Sequence, residues 1–272
     1  MDKEEFFISC FESKMIGDDG AIDGELIYSS DMFFEDIHFK REWMSLYEIA
    51  KKSMLVNISD TIAMNALPKK ALLNIQLPRD MSKKDLKELA KGFLDSAKEF
   101  DFEIIGGDTI GGERLNISIT IISQSKNPLK RDNLKEGDLL AFTGELGESL
   151  RDLNRLLNGE RVSKDSRFIT PTLRADFIYK VREYLTSGMD ISDGLFCDTN
   201  KLLTSNNLGL KLLIDIPDEV GFSGEEYEML IGFEEKSREK VLEIAKETNT
   251  PLTIFAKAEK NSFKFPCKSH HF

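Results

Sequence analysis

Carboxylates set among glycine, serine, threonine and asparagine recur along this chain. They stand at Gly17-Asp18-Asp19-Gly20, Ser29-Ser30-Asp31, Asn57-Ile58-Ser59-Asp60, Gly106-Gly107-Asp108-Thr109 and Asp190-Ile191-Ser192-Asp193-Gly194. Hard cations such as Mg²⁺ and Ca²⁺ take oxygen ligands, and small neighbours let backbone approach closely. Repeated clusters of this kind point to a site with several metal ions acting on an anionic substrate, phosphates above all. Taken alone, Gly17–Gly20 and Ser29–Asp31 read as turns, because Asp, Ser and Gly dominate turns. Asn57 and Asp60 are different. They share one face of an otherwise apolar helix, where an Asp is costly unless paired or metal-bound. Gly106 and Gly107 follow a strand and would let a phosphate reach the backbone. Asp190, Ser192 and Asp193 stand at the mouth of a helix, whose free N–H groups attract anions. Ser192 or Asp193 would equally serve there as a plain N-cap. The sequence has no Walker-type phosphate loop and no dinucleotide-binding glycine fingerprint.

The elements that must position these residues alternate between helix and strand. A short first helix carries Phe6, Phe7 and Phe11 at helical spacing. Residues 21–28 and 33–39 read as strands, 46–66 as a helix ending before Pro68, and 71–77 as a short apolar strand. Residues 82–100 form an amphipathic helix with Ser82 as N-cap and Asp85 closing a capping box. Strands follow at 102–105 and 115–122. Asn127-Pro128 and the charged stretch after it mark a boundary. Beyond it, strands are expected at 139–143, 210–214, 227–233 and 252–256. Helices are expected at 148–157, 173–186, 195–204 and 234–247.

Composition limits the partners. A chain of 272 residues can bury a sizeable core, and a net charge of −11 argues against a nucleic-acid surface. An acidic protein that handles polyphosphate needs cations as bridges. No apolar run is long enough to span a bilayer. The start, Met1-Asp2-Lys3-Glu4-Glu5, lacks a signal-peptide pattern, so a cytoplasmic location is expected. Cys10, Cys197 and Cys267 are too few and too scattered for a zinc pattern or a disulfide framework, and Cys10 and Cys197 read as small hydrophobes.

Taken in order, the strings IGDDGA, SSD followed by His38-Phe39, KSMLVNISDTIAMNA, IIGGDT, Arg131 before EGD, FTGELGES, TPTLR and MDISDGL resemble the thiamine-monophosphate kinase family. That family sits in a superfamily with aminoimidazole ribonucleotide synthetase, selenophosphate synthetase and a hydrogenase-maturation protein. The tail, Lys268-Ser269-His270-His271-Phe272, is similar to the family's terminal Tyr-Asp-His-Phe. A selenophosphate synthetase-like enzyme would need a reactive Cys in an N-terminal Gly/Lys-rich loop, and Cys10 has no such setting.

The resemblance implies an α/β (α+β) protein with a two-domain aminoimidazole-ribonucleotide-synthetase-like fold. Residues 1–128 would form an ATP- and metal-binding domain whose mixed sheet builds a dimer-spanning barrel in a homodimer. Residues 129–272 would form an α/β sandwich. It implies direct γ-phosphoryl transfer from ATP to thiamine monophosphate, giving thiamine diphosphate, with several Mg²⁺ ions and no catalytic general base. By the same resemblance Asp19, Ser29, Ser30, Asp31, Asp60, Asp108, Asp190 and Asp193 are metal ligands. Gly107, Asp108, Arg131 and Ser192 belong to the ATP side, and His38, Glu225 and Phe265 to the thiamine side. Without the resemblance, His38 reads as a satisfied histidine at a strand end. The chain departs from the family pattern at Ile110 and Gly111, at Ser223 and Glu226, in a shortened stretch between Pro217 and Phe222, and at Ser269-His270.

Overall fold

The structure, a computed structural model, describes residues 3–267, so the tail at 268–272 and the first two residues lie outside it. A short helix α1 (Lys3–Ser9) precedes a first sheet and its helices: β1 (Ala21–Asp23), β2 (Leu26–Phe34), α2 (Leu46–Ala63), β3 (Leu67–Pro78), α3 (Lys83–Glu99), β4 (Glu103–Gly106), β5 (Thr109–Gly112) and β6 (Asn116–Gln124). A second set follows: β7 (Leu139–Thr143), α4 (Glu148–Leu157), α5 (Ala175–Val181), β8 (Ser187–Asp190), α6 (Leu195–Ser205), β9 (Gly209–Leu212), α7 (Asp218–Gly221), β10 (Met229–Phe233), α8 (Arg238–Glu247) and β11 (Leu252–Glu259). The first sheet runs β1-β2-β6-β3-β4, with β5 continuing the β4 side of β3. It is mixed, because β4 and β5 lie parallel to β3 while the other pairs are antiparallel. The second runs β8-β10-β7-β11-β9 and is antiparallel throughout.

In the first sheet one face is apolar. Along β6, Ile117, Ile119 and Ile121 are buried and alternate with Ser118 and Thr120, the period of a half-covered strand. Phe33 of β2 and Ala71 of β3 join the buried face. The covering element is α2, which is buried nearly all round and packs on β2 and β6 and also on β8 and α5. A helix buried on every side loses its amphipathic signature. Helix α3 is amphipathic and lies against α2, and its Ser82–Asp85 capping box is present as expected.

The second sheet is covered on both faces. Leu139 and Ala141 of β7 pack in the core shared with α2, whereas Leu140 and Phe142 pack in a second core with α6. Its strands therefore read as continuous apolar runs rather than alternating ones.

Several expectations are corrected. Ser29-Ser30-Asp31 is no turn: β2 runs unbroken through it, with Ser29 opposite Ile121 and Asp31 opposite Ile119. The helix expected over 173–186 shrinks to α5 and one 3₁₀ turn, and the chain then enters β8. Strand β5 was not foreseen. Cys197 and Cys267 are bonded to each other, tying the chain end to α6, while Cys10 is exposed.

Candidate active site

Asp19 comes from the turn before β1, Asp60 from the last turn of α2 and Asp190 from the end of β8. One carboxylate oxygen from each lies within 4.8 Å of the others. Neighbours fix them. Ser59 Oγ donates to Asp190 Oδ2 at 2.6 Å. Asn57 Oδ1 accepts the Asp31 backbone N–H at 3.0 Å, while its amide donates to the Ser53 carbonyl at 3.1 Å. Asn57 therefore staples β2 to α2 rather than facing a ligand. The Arg131 backbone N–H donates to Asp18 Oδ1 at 2.7 Å, and its guanidinium pairs with Asp19, whose side chain is only 2 % exposed.

This is a crowd of like charges. Burial, then the charges of Asp31, Asp190 and Asp19, push the Asp60 carboxyl well above the usual range. Burial and Asp19 do the same to Asp190. Burial opposes the charge of Arg131, but Asp19, Asp190 and Asp198 outweigh it and raise its pKa. A cleft of about 360 Å³ opens here, lined by Asp18, Asp19, Ser29, Asp31, Asp60, Arg131, Asp190 and Ser192 among others. Two buried oxygens in it, Asp19 Oδ2 and Ser29 Oγ, have no hydrogen-bond partner within the protein. An all-oxygen donor set with unspent lone pairs fits Mg²⁺.

Other expected ligands stand outside the three-carboxylate cluster. The pleat of β2 turns Ser29 and Asp31 inward and Ser30 outward, so that Ser30 lines the same cleft from the other face, where its hydroxyl donates to the Ile119 carbonyl and lies 2.9 Å from Thr120 Oγ1. Asp108 also stands apart. It lines a shallow cleft with Phe34, Asn74, Gln76 and Asn116 on the outer face of the sheet, and its carboxylate accepts the Thr109 N–H. Gly107 is required by packing. At φ +140°, a Cβ there would stand 1.8 Å from the Leu73 carbonyl oxygen of β3. Asp193 pairs with Lys201 of α6.

A second cavity, about 180 Å³, is lined by His38, Ser149, Leu150, Phe168, Ser192, Asp193 and Glu225 among others. Ser192 thus lines both cavities. His38 Nδ1 accepts the Phe34 N–H at 3.0 Å, which places its proton on Nε2. It is a satisfied strand-end histidine and a pocket residue at once. Phe265, expected here, is instead 8 % exposed inside the second core, stacked on Phe196 with centroids 4.3 Å apart and held by Asn200. Its apolar ring completes that core. Neither Ser192 nor Asp193 caps α6. Gly194 occupies that position, and the Asp198 carboxylate accepts both the Ser192 and Asp193 N–H groups at 3.0 Å. Glu226 reaches the start of α4, accepting from Gly147 N at 2.7 Å and Ser149 N at 3.2 Å. The longer side chain thereby supplies a cap that Gly147 cannot.

Sequence reasoning missed Lys52, Ser59 and Phe168. Lys52 donates to Glu225 Oε2 at 2.6 Å and lies 3.7 Å from the Phe168 ring centroid. Its signal was the one that marked Asp60, a charge on an apolar helix.

Residues 17–124 match the family model described as AIR synthase related protein, N-terminal domain. The solved structure of AaThiL complexed with AMPPCP and TMP superposes with a TM-score of 0.82 at 25 % identity, covering 95 % of this chain and 90 % of that one. Fold and site thus define a mixed α/β protein of the AIR synthase-related class. The thiamine-monophosphate kinase of Leptospira interrogans is 35 % identical over 78 % of this chain and 76 % of its own length. That of Aquifex aeolicus is 30 % identical over 74 % and 69 %. This chain belongs to the thiamine-monophosphate kinase family.

Proposed function

We propose that this protein transfers the γ-phosphoryl group of ATP to the phosphate of thiamine monophosphate, giving thiamine diphosphate and ADP. The observation that carries the reading is the junction at Ser192. On one side lies the Asp19-Asp60-Asp190 cluster, built for cations and hence for a nucleotide triphosphate. On the other lies a smaller pocket with apolar walls and the carboxylates of Glu225 and Asp193, suited to a cationic aromatic acceptor. An oxygen of the acceptor phosphate forms the new bond to the γ-phosphorus as the bond to the bridging oxygen breaks and ADP leaves with that electron pair. The acceptor is already ionised at neutral pH, so no general base is needed and positioning dominates. Mg²⁺ held by Asp19, Asp60 and Asp190, with Asp31 and Ser29 beside them, would supply neutralisation of the charge between the two phosphates. Arg131 offers a fixed positive charge at the nucleotide side. Ser192, held through its N–H by Asp198, stands where the two substrates meet.

We further propose that residues 1–128 and 129–272 act as two domains, and that the molecule is a homodimer paired through the outer face of the first sheet. That pairing would create the spanning barrel and turn Asp108 and Ser30 toward the partner, near bound ATP. Among the described residues no helix is long and apolar enough to cross a membrane. We propose a cytoplasmic location.

The test is purified protein with ATP, Mg²⁺ and thiamine monophosphate, with products separated by chromatography. Equal amounts of thiamine diphosphate and ADP are expected. Asp60→Asn should lose about 10³-fold or more in turnover while keeping its fold, because an amide keeps the shape and loses the charge. Absence of product from the wild type would refute the reading.

A further inference from the structure

Lys52 is the one buried cation of α2, and the reaction as described leaves it unused. Its side chain is 0 % exposed. A buried ammonium is costly unless it is paired, and this one is paired with Glu225 across the interior. Lys52 Nζ approaches Glu225, Phe168 and, at 5.6 Å from its centroid, Phe33, and the two nearest of these, Glu225 and Phe168, line the smaller pocket. The backbone of Glu225 is already fixed. It sits at φ +54°, its N–H donates to the Ser192 carbonyl at 2.7 Å, and its carbonyl accepts Ser149 Oγ at 3.1 Å. What remains free is the side chain, and Lys52 holds that. Positions 52 and 60 of one helix are about 12 Å apart along its axis. The same rigid element therefore sets the carboxylate cluster and the pocket carboxylate at a fixed separation.

We propose that Lys52 is a positioning residue. It holds the Glu225 carboxylate at the wall of the acceptor pocket, at a set distance from Asp60, so that the amino group on the acceptor's pyrimidine ring meets a fixed hydrogen-bond acceptor. It acts through Glu225 and touches neither phosphate. The inference rests on the acceptor assignment proposed above.

The test compares Lys52→Met, Glu225→Gln and the double variant. Each single change is expected to raise the KM for thiamine monophosphate about tenfold or more, the scale of a charge-assisted hydrogen bond. The KM for ATP and the thermal stabilisation by Mg²⁺-ATP should stay within about twofold of wild type, and the double variant should be no worse than the poorer single one. An unchanged KM for thiamine monophosphate in Lys52→Met, additive losses in the double variant, or a parallel loss of Mg²⁺-ATP stabilisation would each overturn the proposal. Should Lys52→Met not fold, Lys52→Gln, polar but too short to hold Glu225, carries the same expectation. Calorimetric binding of thiamine monophosphate gives a second readout independent of turnover. A wild type that binds no thiamine monophosphate refutes the functional reading and takes this proposal with it, whereas variants that bind normally refute this proposal alone.

Discussion

Asp198 works behind the site. Its carboxylate, fully buried, accepts two backbone N–H groups from Ser192 and Asp193 and pairs with Lys201. Burial pushes its carboxyl up to about 6, against the pull of Lys201. The folded chain thus holds a proton that the unfolded chain releases near pH 4. The group's contribution to stability is full below about pH 4 and is lost as pH rises through about 6. Asp198→Asn removes that titration while keeping an oxygen acceptor. The melting temperature of the variant, relative to wild type, should therefore rise between about pH 4 and pH 6.5. A pH-independent difference would assign the group no such role. At this scale the sequence exposed Asp60, because a charge among Met54, Ile58 and Ile62 breaks an apolar pattern. It hid Ser59, a neutral residue that any helix tolerates, whose value lies in meeting Asp190 from another element.

Helix α2 is the element on which the site depends. Within one stretch it staples β2 through Asn57, holds Asp190 through Ser59, presents Asp60 and anchors Glu225 through Lys52. Its burial on all sides makes it rigid, and rigid elements hold a site more tightly than loops. The glycine pair before Asp108 belongs to the same scale. Gly107 was expected to clear space for a phosphate, and it also clears space for β3. Gly107→Ala combines a left-handed φ with a backbone clash, and should lower unfolding free energy in urea by about 2 kcal/mol or more. ATP affinity of the folded fraction should be unchanged. Lost ATP affinity with an unchanged unfolding midpoint would assign Gly107 to the phosphate alone.

The molecule as a whole leaves one face of its first sheet open. Met32 of β2 and Ile110 of β5 are 60 % and 57 % exposed there, among Ser30, Ser118 and Thr120. In the proposed homodimer a second copy seated on that face would cover the exposed apolar side chains and meet the outward-placed Asp108. Sedimentation of the wild type should give twice the chain mass. Met32→Glu should give a monomer with little loss of intrinsic stability, because Met32 makes little use of its own chain. A monomeric wild type would leave the open face without this explanation.

The sequence by itself determined the local and the chemical: the two capping residues of α3, the limits of β7 and α4, and the types of residue that gather phosphate and metal. Those follow from near neighbours, where spacing and side-chain chemistry suffice. Tertiary structure decided which carboxylates meet. Asp19, Asp60 and Asp190 converge because α2 packs between β2 and β8, a contact with no trace in local periodicity. Ser30 and Asp108 stand outside that trio because a strand's pleat and a sheet's two faces separate residues that adjacency in sequence would join. Phe265, an aromatic near the chain end, could line a pocket or fill a core, and only the stack on Phe196 chose between them.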